Sequence, residues 1–328
     1  SKIVCFLLLH SFKEDITTIL NPLSSQLDLR NACYSIMHRF ESISSVEEQR
    51  FTGVDDLYEN NGKAICALDA AHCLSDYTRT VRFMNGLCRA IGDKLKEGQE
   101  GKLHICYAGT GPYAALMLPS LFLFSPQEIE FTLMEIHPDT YPLLLNTIEK
   151  LSLSPWIRQV LKTDATKYQF NEEEKPDIII SETMQLALRK EMQVPITLNL
   201  YPQLKQGGLF IPNSIEVNIS RLTKDRNIDP AFNKPLIKFE PGSNDWDKGI
   251  FTPSSISIDP VTIQFGVYYY TTIVNIYKDL SLNYNESSLT VPLEVKSLKQ
   301  YKEMGKSLFL FQYQISDEPG IFCTIAET

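Results

Sequence analysis

The stretch KLHICYAGTGPYAALMLPSLFLF, residues 102–124, decides how this chain is read. It begins with an apolar run, LHICYA, that is short enough for a strand and apolar enough to be buried on both faces. Gly109 and Gly111 then permit a tight turn and a close approach of backbone to a ligand. The apolar continuation predicts a helix whose N-terminus stands just behind that turn. Strand, glycine turn and helix in this order open a parallel α/β unit.

The unit repeats downstream. EIEFTLMEIHPDTYPLLLNTIEKL (128–151) reads as a second strand, turn and helix, with Pro138 near the helix start, where its missing N–H costs little. WIRQVLKTDATKY (156–168) offers a third strand, and KPDIIISETMQ (175–185) a fourth whose unbroken isoleucine run suits a doubly buried position. A helical stretch to about residue 203 leads into QGGLFIPNSIEVNIS (206–220). These elements predict a doubly wound, Rossmann-like α/β domain over 101–214 with a mainly parallel sheet.

Upstream, apolar residues recur at helical spacing through 17–43 and 73–95, so 1–100 reads as a helical N-terminal segment, its apolar start IVCFLLLH (3–10) included. Downstream, 255–284 and 307–316 alternate and are rich in β-branched and aromatic residues, which predicts a β-rich, barrel-like domain over 215–328. The polar, Pro- and Gly-containing region 221–260 reads as a long loop or arm.

Composition narrows the function classes. The 31 basic and 40 acidic residues give a formal charge of −9, which argues against a nucleic-acid binder or a partner of anionic membrane surfaces. The N-terminal apolar run is too short for a membrane span and lacks a basic flank and a cleavage signature. Seven scattered cysteines without a CxxC pair suit reduced thiols in a cytoplasmic protein, and the five histidines lack ligand spacing, so no metal is expected.

In a parallel sheet, ligands bind at the carboxyl ends of the strands. Four features fall there in register: the turn with Gly109 and Gly111, then Glu135, Asp164 and Glu182 after the next three strands. An acid at the second strand end can accept from both ribose hydroxyls, and one at the third can contact an adenine amino group. The order suits an adenosyl ligand without phosphates. After the fourth strand comes SETMQLALRKE (181–191), where Glu182 and Glu191 lie nine residues apart. In one helix or one strand that spacing sends them to opposite faces. Only a loop that folds back makes them neighbours.

The core resembles a class I S-adenosylmethionine-dependent methyltransferase, and two motifs make it similar to the protein arginine methyltransferases. In CLSDYTRTVRF (73–83), Asp76, Arg79 and Thr80 match an Asp-x-x-Arg-Thr segment, whose arginine in that family holds the methionine carboxylate of the cofactor. Ser181, Glu182, Met184 and Glu191 match a Ser-Glu-x-Met loop carrying two glutamates. The resemblance implies S-adenosylmethionine as cofactor, with Asp76, Arg79, Gly109, Gly111, Glu135, Asp164 and Met184 around it, and Glu182 and Glu191 as the catalytic pair. It also implies a β domain, and dimerisation through an arm for which 221–260 is the candidate. Two departures stand out. Ile105 and Tyr107 lie near the places where that family usually has an acidic strand end and a further glycine, and its Thr-His-Trp stretch is replaced by a segment with Tyr268, Tyr269 and Tyr270.

The reaction expected is N-methylation of a guanidino or amino group on a small molecule or peptide. Two carboxylates can hold a guanidinium bidentately and leave one nitrogen free to attack. Two other readings stay open. GTGPYA also satisfies a loose G-x-G-x-x-A pattern, which with Glu135 gives the reading of a nicotinamide-dependent oxidoreductase. A non-catalytic scaffold that kept the methyltransferase fold is the other.

Overall fold

The computed structural model describes residues 8–44, 55–98, 101–243, 251–259, 262–263, 266–301 and 308–326. Two helices, α1 (Lys13–Leu20) and α2 (Gln26–Ser44), open the described chain. A two-stranded hairpin follows, β1 (Leu57–Glu59) and β2 (Gly62–Ala64). The short α3 (Ala67–His72) leads to the long α4 (Tyr77–Glu97), capped by Asp76, whose carboxylate accepts from the Arg79 N–H at 3.2 Å. The helical reading of 1–100 missed the hairpin, although Asn60–Asn61–Gly62 carries the Asn-Gly signal of a tight turn. Of the apolar start 3–10, residues 3–7 lie outside the described chain.

The α/β core then forms as β3 (Leu103–Ala108), a four-residue α5 (Ser120–Leu123), β4 (Ile129–Glu135), α6 (Thr140–Lys150), β5 (Ile157–Lys162), β6 (Ile178–Ser181), α7 (Gln193–Leu200) and β7 (Leu209–Ile211). All pairings in this sheet are parallel, in the order β5-β4-β3-β6-β7. Every residue of β3 and β6 is buried, as their apolar runs require, while β5 at the sheet edge is partly exposed. The chain reverses its lateral direction between β3 and β6, and this switch point opens a crevice at the strand ends. One expectation fails here. No long helix follows the glycine turn: residues 115–117 are a single 3-10 turn before α5.

The C-terminal part is β-rich. Strands β8 (Ser214–Leu222), β9 (Ile228–Phe239), β10 (Ser254–Ser257), β11 (Tyr268–Tyr277), β12 (Leu280–Leu282), β13 (Leu293–Glu294), β14 (Leu308–Gln314) and β15 (Gly320–Ile325) build two antiparallel sheets. One has the order β12-β11-β8-β9 with β13 also on β11, and the other β10-β14-β15. Residues 228–239, expected in a loop or arm, are thus a strand paired with β8, and 244–250 of that region lie outside the described residues. Pro230 and Pro235 hid the strand, and they are tolerated because β9 is an edge. Among the described residues, no helix is long and apolar enough to cross a membrane.

Candidate active site

A cavity of about 760 Å³ lies at the carboxyl ends of β3, β4 and β6, within the usual range of ligand pockets of about 300–1,000 Å³. Its walls come from the α3–α4 segment, the glycine turn, the ends of β4 and β5, the loop after β6, and Ser288 and Leu289 of the β-rich part.

The turn after β3 is pinned to the neighbouring strand, with Gly109 and Thr110 N–H groups both donating to the Met134 carbonyl, at 3.0 and 3.3 Å. Gly109 has φ +74, and a Cβ there would lie 2.2 Å from Cγ2 of Thr183, so both backbone and space demand glycine. Glu135 ends β4 and is tied down from both sides: Gly111 N–H donates to one oxygen at 2.9 Å and His137 N–H to the other at 2.8 Å. Burial pushes its carboxyl up, and those two N–H groups oppose the shift. Asp164 accepts from the Thr166 N–H and hydroxyl at 2.9 and 2.7 Å and pairs with Lys167 at 2.8 Å. Burial works against its charge, but these partners hold it below the usual carboxylate range.

Arg79 extends from the first turn of α4 and forms a buried ion pair with Glu182. Asp76 lines the same cavity, yet its carboxylate is committed elsewhere. Beyond its cap, it accepts from Ser287 Oγ at 2.7 Å and from the N–H and Oγ of Ser288 at 2.7 and 2.6 Å. It clasps the β-rich part onto the head of α4.

The loop after β6 folds back. Ala187, Leu188 and Lys190 all have positive φ, at 54°, 57° and 64°, and these three residues reverse its course. Left-handed backbone at non-glycine residues costs about 1–2 kcal/mol each, so surrounding contacts must hold the loop. The β1–β2 hairpin supplies one set: Lys63 N–H donates to the Lys190 carbonyl at 2.8 Å, and Lys63 pairs with Glu191 in an isolated parallel bridge. The β-rich part supplies another, since Lys190 N–H donates to the Pro319 carbonyl at 2.7 Å. Gln193 Oε1 accepts from the Thr183 N–H at 2.9 Å. Glu182, Met184 and Glu191 consequently line one cavity, all three buried. Burial pushes the Glu191 carboxyl up to about 7, with Arg79 and Lys63 opposing.

All nine sequence-derived site residues border this cavity. Sequence reasoning missed Lys63 and Arg189, which also line it. Tyr268, Tyr269 and Tyr270 are not among its lining; Tyr268 and Tyr270 pack against Phe232 and Phe311. Asp56, Cys66 and Asp69 lie within 4.8 Å of one another, but Asp56 already holds the Lys63 ammonium at 2.6 Å.

No family model matches this sequence, and no curated protein matches it either. Solved structures do. The chain is similar to the Trypanosoma brucei PRMT1 enzyme-prozyme heterotetrameric complex with AdoHcy, at TM-score 0.52 and 11% identity, covering 78% of this chain and 92% of that one. It is also similar to a crystal structure of PRMT6, at TM-score 0.51 and 12% identity, covering 79% of this chain and 99% of that one. This chain has the fold of the PRMT structures. With so few identities the likeness concerns architecture: a parallel α/β core, helices before it and a β-rich region after it. Within that PRMT-like fold, the cavity lies at the switch point where an α/β sheet takes its ligand.

Proposed function

We propose that this protein is an S-adenosylmethionine-dependent methyltransferase acting on a guanidino or amino nitrogen. One observation carries the reading: the fold-back of residues 182–191 brings two glutamates into the cavity that Arg79, Glu135 and the glycine turn also line. The donor set suits the cofactor. Arg79 has five N–H donors, enough to keep Glu182 and still meet a carboxylate. Glu135 is held rigidly by two backbone N–H groups and retains lone pairs for ribose hydroxyls. Asp164 retains lone pairs for an amino group. The hydroxyls of Thr110 and Thr140 line the cavity, buried and without a hydrogen-bond partner among the described residues. The missing long helix behind the turn disfavours the nicotinamide reading, because a pyrophosphate would lose the helix N-terminus it needs.

S-adenosylmethionine, when bound, supplies a methyl group on a cationic sulfur that leaves as a neutral thioether. The chain's own work is positioning and electrostatics. Glu182 and Glu191 hold the cationic face of the acceptor and orient one nitrogen toward the methyl carbon. As the new N–C bond forms, that nitrogen must lose a proton, and a carboxyl poised near 7 is suited to take it. Calorimetric titration with S-adenosylhomocysteine tests the reading. Tight binding that Arg79→Ala weakens strongly supports it, and no binding to the intact chain overturns it. Release of S-adenosylhomocysteine with a guanidino or amino acceptor, lost in Glu182→Gln and Glu191→Gln, completes the test.

A further inference from the structure

Three lysines and arginines line the cavity, and two of them are spoken for: Lys63 pairs with Asp56, and Arg79 with Glu182. Arg189 pairs with no carboxylate among the described residues. Its Nε is buried and lacks a hydrogen-bond partner among the described residues. An unmet buried donor is costly, because it has given up water and found no partner in return. A protein that buries such a donor beside a cavity gains from an anion arriving there.

Location says whose anion it is. Arg79 stands in the first turn of α4 and is committed to Glu182. Arg189 belongs to the folded-back loop and lies against the start of β15, its Cγ 3.5 Å from where a Cβ on Gly320 would sit. The adjacent Lys190 N–H is fixed to the Pro319 carbonyl, so this part of the loop is anchored to the β-rich wall. Arg189 is two residues from Glu191 along the chain and within the acceptor loop.

We propose that Arg189 receives a carboxylate of the methyl acceptor, which is therefore a small zwitterion. Its amino or guanidino nitrogen meets Glu182 and Glu191, and its carboxylate meets the Arg189 fork. The inference rests on the methyltransferase reading above and names the acceptor class. A single guanidinium suits a carboxylate bidentately. A phosphate dianion would call for a second unpaired cation, which the lining lacks among the described residues. A residue inside a peptide chain offers no such carboxylate, so free amino-acid-like compounds are favoured over protein tails.

The test is calorimetric titration of the full chain saturated with S-adenosylhomocysteine, using 4-guanidinobutanoate and butylguanidine as probes. They share the cationic head and differ in the carboxylate. The wild-type protein is expected to bind the carboxylate probe at least about tenfold more tightly, as a charge-assisted bidentate pair provides. Arg189→Ala should erase that preference by weakening 4-guanidinobutanoate alone, and Arg189→Lys should keep part of it. An unchanged thermal midpoint in Arg189→Lys guards against misfolding as the cause. Equal affinities in the wild type, a preference that survives Arg189→Ala, or no binding of 4-guanidinobutanoate overturns the inference while leaving methyl transfer intact. Failure to bind S-adenosylhomocysteine at all overturns the parent reading, and this inference with it.

Discussion

Arg79, in the first turn of α4, and Glu182, just past the end of β6, meet as an ion pair buried within the cavity. The pair ties the helical segment to the loop after β6 across the cavity. Deleting one partner of a buried pair typically costs about 3–5 kcal/mol, because a desolvated charge is left alone. Arg79→Ala is expected to lose about 3 kcal/mol of stability, and Arg79→Ala with Glu182→Gln to regain most of it. Equilibrium urea unfolding of the single and double variants measures the coupling. Strictly additive losses would show that the two side chains do not stabilise each other.

Gly109→Ala has two separable penalties. Its φ of +74 disfavours any side chain, by about 1 kcal/mol, and the new Cβ would overlap Cγ2 of Thr183. Thr183→Ser removes that methyl and leaves the hydroxyl. Gly109→Ala should therefore weaken both stability and S-adenosylhomocysteine binding, and Thr183→Ser should restore a part of each in the double variant. If the second substitution restores nothing, backbone strain alone explains the loss.

The central sheet was legible because β3 and β6 are buried on both faces, and such strands announce themselves as unbroken apolar runs. The acids at the strand ends could be placed for the same reason: once the strands are known, their carboxyl ends follow. The hairpin at 57–64 and the strand at 228–239 were harder. Three-residue strands carry almost no periodicity, and β9 is an edge strand whose prolines imitate a loop. The fold-back of the loop after β6 is set by three left-handed residues, none of them glycine, held by contacts from two distant segments. Propensity cannot foretell that. Arg189 was invisible because what singles it out is a buried Nε with no hydrogen-bond partner among the described residues, which only the assembled cavity reveals.

Asp76 carries a prediction of a structural kind. Its carboxylate caps α4 and accepts three further hydrogen bonds from Ser287 and Ser288. Loss of a cap costs about 1 kcal/mol, and each bond to a charged group contributes about 1.5–3 kcal/mol. Asp76→Ala is expected to destabilise by about 3 kcal/mol, since water replaces part of what is lost at the exposed Ser288. Hydrogen exchange should rise at the Arg79 and Ser288 amides. Asp76→Asn should keep the cap and lose only part of the clasp. A loosened helix start with an undisturbed 287–288 segment would argue against the clasp.

Glu191 ties pH to both stability and rate. Its folded-state carboxyl is pushed from 4.5 up to about 7, chiefly by burial. A group whose pKa is raised on folding favours the folded state most when protonated. Its contribution is complete below about 4.5 and is lost as the pH rises through about 7. Wild-type stability should thus decline across that window more steeply than that of Glu191→Gln, which stays neutral. Methyl transfer should run the other way, because only the deprotonated carboxylate can take the acceptor's proton. The rate at low acceptor concentration is expected to climb with pH through about 7, and Glu191→Gln should flatten the climb and lower the plateau. Denaturant unfolding at pH values spanning the window, beside initial rates at the same pH values, puts both curves on one axis. Curves that bend at unrelated pH values would separate the stability effect from the proton acceptor and point to another group for the latter.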